Sequence, residues 1–448
     1  MERSCIVIGA GLSGLCAADV LCRESPPWKI TVLETRSRLG GRVHSFSFPE
    51  APKLVCELGG EWIGTQHDRM LELCNRFKLP LDPHRFDFSF LERGQIRRQY
   101  QAGDWPFPNF LRGKFIQLKR RVAHMTLMQK KVFDRKDWWT ILRDIGFGEE
   151  QLLRRDLMDS TDFGESIRHA GGYSAGAEYF DSNRFDEMDW HIRGGNSLLV
   201  DALAQSIVGH QDCRIFTGRL VVCVDQNGGG VVVKTGQGEE FSASFCICTV
   251  PGRTLTRIQF NPRLADSQWD AAKQLQYARI QKTVLLFENR FWQEGRRNVR
   301  FSCFTDGASD FIFDATLAQR GRQGILCSYA IGDKADDLAA TRTESLRCRL
   351  EQDLRLIFPE AIVEASAITR YPWQRDKHTE GAYALYRPGQ WFDVWEQLVL
   401  PHKRIFFAGE HLADEQGFME GAADTGVLAA RDVLRAFHGR SCRIRKRS

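Results

Sequence analysis

Several features are missing from the sequence, and each absence narrows the class of protein. It contains no run of about 20 consecutive apolar residues, so we expect no membrane-spanning segment. Its 13 cysteines include no C-x-x-C pair, which argues against a zinc site or a redox dithiol, and they are too scattered for a disulfide framework. No serine, cysteine or metal-ligand constellation typical of hydrolysis is recognisable. The sequence therefore predicts a globular protein without a metal, in the reducing cytoplasm.

The chain also lacks a strong excess of charge. A net charge of +5 on 448 residues gives no reason to expect a nucleic-acid partner. A small group of basic residues ends the chain and is typical of a solvated tail, with a membrane or partner contact as the alternative; it comprises Arg440, Arg443, Arg445, Lys446 and Arg447. With 43% hydrophobic and 27% charged residues, the composition fits a globular chain of two or three domains.

The most informative stretch runs from residue 5 to residue 34. A short apolar strand is followed directly by the glycine-rich turn GAGLSG, a helical pattern and a second apolar strand that ends at Glu34. Gly9 permits the tight turn, Gly11 lets the backbone approach a pyrophosphate, and Gly14 allows close helix packing. Glu34 is placed to meet the hydroxyls of an adenosine ribose. Because a strand, a helix and this carboxylate accompany the glycines, we predict a dinucleotide site rather than a functionless turn.

Two further glycine pairs follow within 30 residues. In the first, the pair at 40–41 is flanked by Arg36 and Arg42, so bare amides and guanidinium groups are suited to a diphosphate. In the second, Gly59 and Gly60 stand in the segment ELGGEWIG at 57–64, beside an acid and an aromatic residue. The two pairs indicate a second approach to the same nucleotide.

These motifs resemble those of the flavin-dependent amine oxidases, the superfamily of monoamine oxidase and L-amino-acid oxidase. The resemblance extends along the whole chain through further matching segments: RGGNSLL at 193–199, RLVV at 219–222, TVP at 249–251, QKTV at 281–284, FW at 291–292, PW at 372–373, GAY at 381–383, FAGE at 407–410 and GFMEGA at 417–422. Their order and spacing are those of the superfamily.

The resemblance implies an α/β protein in which a Rossmann-like FAD-binding domain is interleaved with an α+β substrate-binding domain. The first domain would comprise 1–78, 195–270 and 376–448, and the second 79–194 and 271–375. Local patterns predict helices over 112–132, 138–155, 196–207, 343–358 and 421–437, and strands over 283–287, 324–330 and 404–408. Paired strands are expected between 215 and 234, around the turn NGGG.

The implied cofactor is FAD, held without a covalent bond because Ala382 stands where tethering members carry a cysteine. In the family, the backbone at Val221 meets the adenine, the Gly409 turn meets the ribityl chain and pyrophosphate, and amides near Met419 meet the pyrimidine end. The complete set of expected cofactor-binding residues is Gly9, Gly11, Gly14, Glu34, Arg36, Arg42, Gly59, Gly60, Val221, Trp373, Gly409, Glu410 and Met419.

The implied catalytic residues are Lys282, Tyr383, Phe418 and Glu61. On the residues alone, Lys282 reads as a solvated strand position, whereas the family's lysine holds a water beside flavin N5, as an ammonium or an amine of lowered pKa. Tyr383 and Phe418 fall where the family places two aromatic walls that orient the amine, and Phe418 departs from the usual tyrosine.

Trp62 and Tyr179 are expected to bind the substrate. Trp62 occupies a place where many amino-acid oxidases have a carboxylate-binding arginine, which favours an amine without an α-carboxylate. Glu61 would meet the substrate nitrogen, or else satisfy amides of its own turn. An arginine from elsewhere could still reach the pocket, and the candidates are Arg97, Arg98, Arg300 and Arg387.

The activity implied is oxidation of an amine C–N bond to an imine, followed by hydrolysis, with oxygen reduced to hydrogen peroxide. Three alternatives remain: an L-amino-acid oxidase, a carotenoid desaturase or porphyrinogen oxidase, and a non-catalytic nucleotide-binding relative. The expected partners are a small amine and oxygen, with a possible homodimer.

Overall fold

The computed structural model describes residues 2–96, 99–180, 189–293 and 300–440; of Glu178, Phe180 and Asn227 only the backbone is described. The glycine-rich turn follows the central strand of a five-stranded sheet in which every described pairing is parallel. Its strands, in spatial order, are Ile405–Phe407, Phe245–Cys248, Ser4–Ile8, Lys29–Leu33 and Cys213–Phe216. The predicted strand–helix–strand start is therefore confirmed, with the helix at Leu12–Cys22.

Three helices cover this sheet and bury its apolar side chains: Leu12–Cys22, Ser197–Val208 and Met419–Phe437. The helix predicted over 196–207 begins one residue later, at Ser197, and the last helix begins at Met419 rather than at 421. The predicted strand pair around the turn NGGG is present as Val221–Asn227 and Gly230–Thr235. It lies in a four-stranded sheet with Glu240–Ala243 and Gln259–Asn261.

A second large sheet has seven strands of mixed direction. In spatial order they are Ala367–Pro372, Ile280–Phe287, Gly324–Ile331, Phe311–Asp314, Phe301–Thr305, Asp87–Glu92 and Gln95–Ile96. The strand that carries Lys282 pairs with a neighbour on each side and is buried at all eight positions, because hydrophobic clusters pack against both faces of the sheet there. The interpretation of Lys282 as a solvated strand position is therefore wrong.

Helices dominate the segment between 109 and 180, and they are shorter than the sequence pattern predicts. The expected helix over 112–132 is two helices, Asn109–Ala123 and Leu127–Asp134, because Thr126 caps the second in a capping box with Gln129. The expected helix over 138–155 is also two, Trp138–Asp144 and Glu149–Phe163. Gly146, with φ +102°, ends the first of them.

The remaining elements are short or peripheral. Helices lie at Asp68–Arg76, Gly172–Phe180, Gly252–Leu255, Asp266–Gln274, Gly332–Ala340, Thr343–Ile357 and Gln390–Leu398. Three two-stranded pairs join Ser45–Phe46 to Cys56–Glu57, Leu81–Pro83 to Trp190–Ile192, and Gln276–Tyr277 to Ala384–Leu385.

The distribution of strands supports the proposed division into two interleaved domains. The parallel sheet draws its strands only from 1–78, 195–270 and 376–448, and the seven-stranded sheet only from 79–194 and 271–375. Among the described residues, no helix has the length and apolar character needed to cross a bilayer.

Candidate active site

One cavity of about 430 Å³ collects residues from both large sheets. Every predicted site residue lines it except Gly14, although these residues come from six separate stretches of sequence. A volume of this size is typical of a small-molecule site. The predicted site residues are thus brought together in one place.

The glycine-rich turn shapes one wall of the cavity, and its three glycines differ in their surroundings. Gly9 has φ +101°, which L side chains rarely adopt. A Cβ on Gly14 would lie 2.0 Å from the carbonyl oxygen of Gly9, so this glycine packs against the turn itself. A Cβ on Gly11 would meet nothing within 4 Å, because this residue faces the open cavity. Gly11 therefore leaves room for a ligand beside the backbone.

Glu34 is buried at the end of the second parallel strand and lines the same wall. Its two oxygens accept hydrogen bonds from the amides of Ala10, at 2.9 Å, and Arg36, at 2.8 Å. The carboxylate is fixed by the backbone of the turn, and its remaining lone pairs can accept from hydroxyl groups in the cavity.

The second glycine region is held by a buried ion pair. Arg42 donates to Glu410 Oε1 at 2.6 Å, and the Gly417 amide donates to Glu410 Oε2 at 2.9 Å. Burial would raise the pKa of Glu410, but Arg42 together with His411 and the Gly417 amide outweighs burial, and the pKa lies below its usual range. The pair ties the segment at 40–42 to the FAGE turn.

The last helix begins at Met419 and has its N-terminus at the cavity. A Cβ on Gly60 would lie 3.2 Å from the Met419 side chain, so the glycine permits this close approach. Unpaired amides and the positive end of the helix dipole favour negative charge at this point.

Lys282 is buried, and its ammonium group is surrounded by acceptors from one loop. Nζ donates to the carbonyl oxygens of Glu57, at 3.2 Å, and Gly59, at 2.9 Å, and to Glu61 Oε2 at 2.5 Å. An ammonium has three N–H groups, so each has an acceptor on the chain. A water molecule bound to Lys282, as the resemblance implies, would have to replace one of these three acceptors.

The pair Lys282–Glu61 is held in its charged form. Burial would lower the pKa of Lys282, but the charge and hydrogen bond of Glu61, together with Cys327 and Glu57, outweigh burial, and the pKa is raised. The pKa of Glu61 is lowered to about 2, since Lys282 and His84 outweigh the effect of burial. An ammonium is therefore favoured over an amine of lowered pKa.

Both oxygens of Glu61 are engaged, because His84 Nε2 lies 2.8 Å from Oε1. His84 stacks on His191 with 4.4 Å between ring centroids, and burial lowers the pKa of His191 to about 4. Near Glu61, the carboxyl of Glu57 is also buried, and burial together with the charge of Glu61 raises the pKa of Glu57 to about 8. The sequence analysis missed His84, His191 and Glu57, since a lone histidine or glutamate gives no pattern.

Aromatic side chains form much of the remaining lining. Trp373 is buried and donates to the Leu58 carbonyl at 2.7 Å. Trp62 lies against Phe313, and the Lys282 ammonium lies 5.4 Å from the centroid of the Trp62 ring. Tyr383 and Phe418 both line the cavity.

Besides Glu34, which accepts from backbone amides, Asp162 is a lining carboxylate that forms no ion pair among the described residues. Asp162 Oδ2 accepts from the hydroxyl of Tyr179 at 2.7 Å. Tyr383 donates to the neighbouring Thr161 carbonyl at 2.8 Å. Tyr179 is thus at the cavity as predicted, but Asp162 was missed because nothing in a helical pattern marks which polar side chain faces a pocket.

Each arginine that lines the cavity in the described part of the chain is paired with a carboxylate. The pairs are Arg36 with Asp376, Arg42 with Glu410, Arg219 with Glu239, and Arg257 with Glu380. Arg300 and Arg387 are exposed and do not line the cavity. Arg97 and Arg98 lie outside the described residues, as does the basic tail after Arg440.

The parallel sheet, the glycine turn and the two helix N-termini at the cavity are typical of the class of nucleotide-binding α/β proteins. The chain belongs to the family of flavin-containing amine oxidoreductases, whose model matches residues 12–434. The prediction of an FAD-dependent enzyme that oxidises amines with oxygen as acceptor is confirmed at this level.

Sequence and structure comparisons give relatives of two kinds. The chain is 27% identical over 466 residues to an L-amino-acid oxidase of Vipera ammodytes ammodytes, covering 96% of this chain and 92% of that protein. An L-amino-acid oxidase of Crotalus adamanteus is 27% identical, with coverages of 96% and 87%.

Among solved structures, wild-type putrescine oxidase bound to putrescine has a TM-score of 0.84 at 20% identity, covering 97% of this chain and 99% of that one. Cyclohexylamine oxidase from Brevibacterium oxydans has a TM-score of 0.84 at 19% identity, with coverages of 98% and 100%. These likenesses show the fold.

Proposed function

We propose that the chain oxidises an amine that carries no α-carboxylate. The observation that carries the proposal is the pairing of every lining arginine and of Lys282 with a carboxylate, within the described ranges. Lys377 also lines the cavity and forms no ion pair among the described residues, but it is exposed. A zwitterionic substrate held in the cavity interior would therefore bury its own carboxylate with no unpaired cation of the described chain beside it, which is costly. An amine avoids that cost.

The geometry of the turn fits FAD, because Gly11 faces open space and two helices begin at the cavity. Gly9, Gly11 and Arg42 would hold the pyrophosphate, Glu34 the ribose, and the start of the last helix the flavin ring. When bound, FAD supplies the acceptor for the hydride of the substrate and passes the electrons to oxygen. Since residue 382 is an alanine, we propose that FAD is held without a covalent bond.

We propose separate roles for the chain's own residues at this site. Tyr383 and Phe418 orient the amine and exclude water, while Trp373 supports the ring site from behind. Lys282 supplies a fixed positive charge, and Glu61 holds that charge in place instead of binding the substrate nitrogen.

The second candidate is oxidation of L-amino acids, and the names of the curated relatives favour it. That activity requires a cation for the substrate carboxylate. Arg97 and Arg98, outside the described residues, remain the sequence candidates for this role.

A peroxide-release assay on matched pairs decides between the two. Each pair joins an amine to its amino acid, such as 2-phenylethylamine with L-phenylalanine. We expect kcat/KM to favour the amines by at least tenfold, about 1.4 kcal/mol. A consistent tenfold preference for the amino acids would replace the proposal by the second candidate.

We further propose a cytoplasmic location and a homodimer. The described cysteines are all free thiols, which suits a reducing compartment. Light scattering of the purified protein tests the dimer, and a mass of one chain would contradict it.

A further inference from the structure

A short wall of the cavity carries an unneutralised carboxylate. We call it the Asp162 wall, and it consists of Thr161, Asp162, Tyr179, Tyr329 and Tyr383, all of which line the cavity. Asp162 and Thr161 lie in the last turn of the helix Glu149–Phe163, and Tyr179 lies in the helix Gly172–Phe180. Two helices of the segment 79–194 therefore carry three of the five residues, Tyr329 lies in the strand Gly324–Ile331, and Tyr383 comes from the segment 376–448.

Two carboxylates on successive turns of this helix have different surroundings. Asp159 is buried, pairs with Arg155 at 2.7 Å and accepts from the Trp138 indole at 2.9 Å. Asp162 has a hydrogen bond from Tyr179 and no ion pair in the described part of the chain. Asp159 thus has a cationic partner, whereas Asp162 lines the cavity and has only the hydrogen bond from Tyr179 among its described side-chain partners.

Asp162 is half-buried, and a carboxylate charge in such a place is costly unless a cation compensates it. The remaining neighbours are neutral: Tyr383 donates to the Thr161 carbonyl, and Tyr329 hydrogen-bonds to Tyr383. No neighbouring side chain of the wall can supply the missing charge, so a cationic ligand is the natural complement.

We propose that Asp162 binds a second cationic group of the substrate, remote from the nitrogen that is oxidised. The preferred substrates are then alkyl diamines or longer oligoamines rather than monoamines. The inference rests on the proposed function, because it concerns the amine that enters the same cavity. Asp162 contributes specificity, and the oxidation itself proceeds at the other end of the substrate.

The titration of Asp162 gives the inference a pH signature. Burial raises the pKa of Asp162 to about 7, the charge of Asp159 adds to this, and Tyr179 and Arg155 oppose it. Burial raises the pKa of Tyr329, so that side chain stays neutral near pH 7. As pH rises through 7, Asp162 loses its proton while an alkyl ammonium keeps its own up to about pH 10. The preference for diamines therefore rises over that range.

The test measures kcat/KM of the FAD-loaded enzyme for 1,4-diaminobutane against butylamine and for 1,5-diaminopentane against pentylamine. We expect the diamine of at least one pair to be preferred by tenfold or more at about pH 8.5, and the ratio to fall between about pH 8 and about pH 6. In Asp162→Asn the ratio falls at least tenfold and loses this pH dependence. The matched control is Glu150→Gln, which removes an exposed carboxylate of the same helix and leaves the ratio unchanged.

Failure of the inference can be separated from failure of the proposed function. If no amine is oxidised, or amino acids are preferred, the proposed function fails. If amines are oxidised but the wild-type ratio stays near one at every pH, the inference alone is overturned. It is also overturned if Asp162→Asn lowers kcat/KM equally for both members of a pair. The wild-type pH series needs no variant, so a misfolded Asp162→Asn leaves the test intact.

Discussion

At the scale of single residues, the buried pair of Lys282 and Glu61 is the most specific feature of the site. Breaking a buried ion pair by removing one partner typically costs about 3–5 kcal/mol, because a charge is left uncompensated. Glu61 is further fixed by His84, so the ammonium has one well-defined position. A fixed charge of this kind is suited to stabilising negative charge that develops when oxygen is reduced.

We predict that Lys282→Met slows reoxidation far more than reduction. Loss of a preorganised electrostatic group costs about 2.7–4 kcal/mol, or roughly 100- to 1000-fold in rate. Stopped-flow measurement of the two half-reactions separates the effects. The double variant Lys282→Met/Glu61→Gln serves as control, since it removes the uncompensated carboxylate. Unchanged reactivity with oxygen in both variants would show that Lys282 has another role.

In the wild-type enzyme, neither Lys282 nor Glu61 should titrate between about pH 6 and about pH 9. A titration near pH 8 belongs to the neighbouring Glu57, whose pKa burial raises to about 8, and it should persist in Lys282→Met. The pKa of Lys282 is raised, so the ammonium persists below its usual value of 10.5 and is lost only above it. The pKa of Glu61 is lowered to about 2, so its charge persists above that value. A titration inside this window that disappears in Lys282→Met would contradict the assignment of charges.

At the scale of elements, two substitutions in the glycine turn should differ in their effect on the free energy of unfolding. Gly14→Ala places a Cβ 2.0 Å from the Gly9 carbonyl, so we expect a loss of about 1–3 kcal/mol or more in the free energy of unfolding. Gly11 has an ordinary φ of −71° and open space, so Gly11→Ala should change that free energy by less than about 1 kcal/mol.

The measurement compares denaturant unfolding of the FAD-free proteins with their FAD content after expression. Gly11→Ala should fold normally but bind less FAD, since the new methyl group occupies the cavity. If Gly11→Ala retains full FAD affinity, the turn is not the pyrophosphate site.

Two aromatic residues that directly precede an element give a separate prediction: Tyr383 precedes the strand Ala384–Leu385, and Phe418 precedes the last helix. Tyr383→Ala and Phe418→Ala should each slow anaerobic reduction by roughly 100-fold, because misplacement of the substrate costs about that much. FAD content should stay near wild type. Phe418→Tyr is the matched control and should retain activity. Both alanine variants as FAD-free proteins, or both fully active, would assign these rings to the core.

Much of each element could be predicted from local pattern, and the exceptions have local causes. The strand–helix–strand start and the helix Thr343–Ile357 follow from apolar spacing and from stop signals such as Pro359. The two long helices predicted in the middle of the chain are divided at Thr126 and Gly146, because a capping residue and a glycine with positive φ interrupt a helix without changing its apolar spacing. Asp162 and His84 could not be predicted, because their placement depends on contacts across the fold.

At the scale of the whole molecule, the cavity joins the parallel sheet to the seven-stranded sheet. Glu34 approaches it from the parallel sheet, Lys282 from the seven-stranded sheet, and Val221 from the four-stranded sheet. Family resemblance identified these residues together, whereas spacing alone could identify only the first turn and Glu34. Residues far apart in sequence converge because crossings between the two sheets bring them to one wall.

We predict that FAD leaves the unfolded chain. Ala382 offers no thiol for a thioether, so acid precipitation should release the yellow chromophore into the supernatant. Mass analysis of that supernatant should give FAD. Colour that remains in the pellet, or release of FMN or NAD instead, would contradict the assignment.

The central claim is that this cavity receives an amine without an α-carboxylate. Its most direct test is the rate constant of anaerobic flavin reduction by 2-phenylethylamine and by L-phenylalanine, because this half-reaction depends on the substrate and not on oxygen. The account predicts reduction by the amine at least tenfold faster at equal subsaturating concentration, about 1.4 kcal/mol in favour of the amine. Faster reduction by L-phenylalanine, by a similar factor, would contradict it.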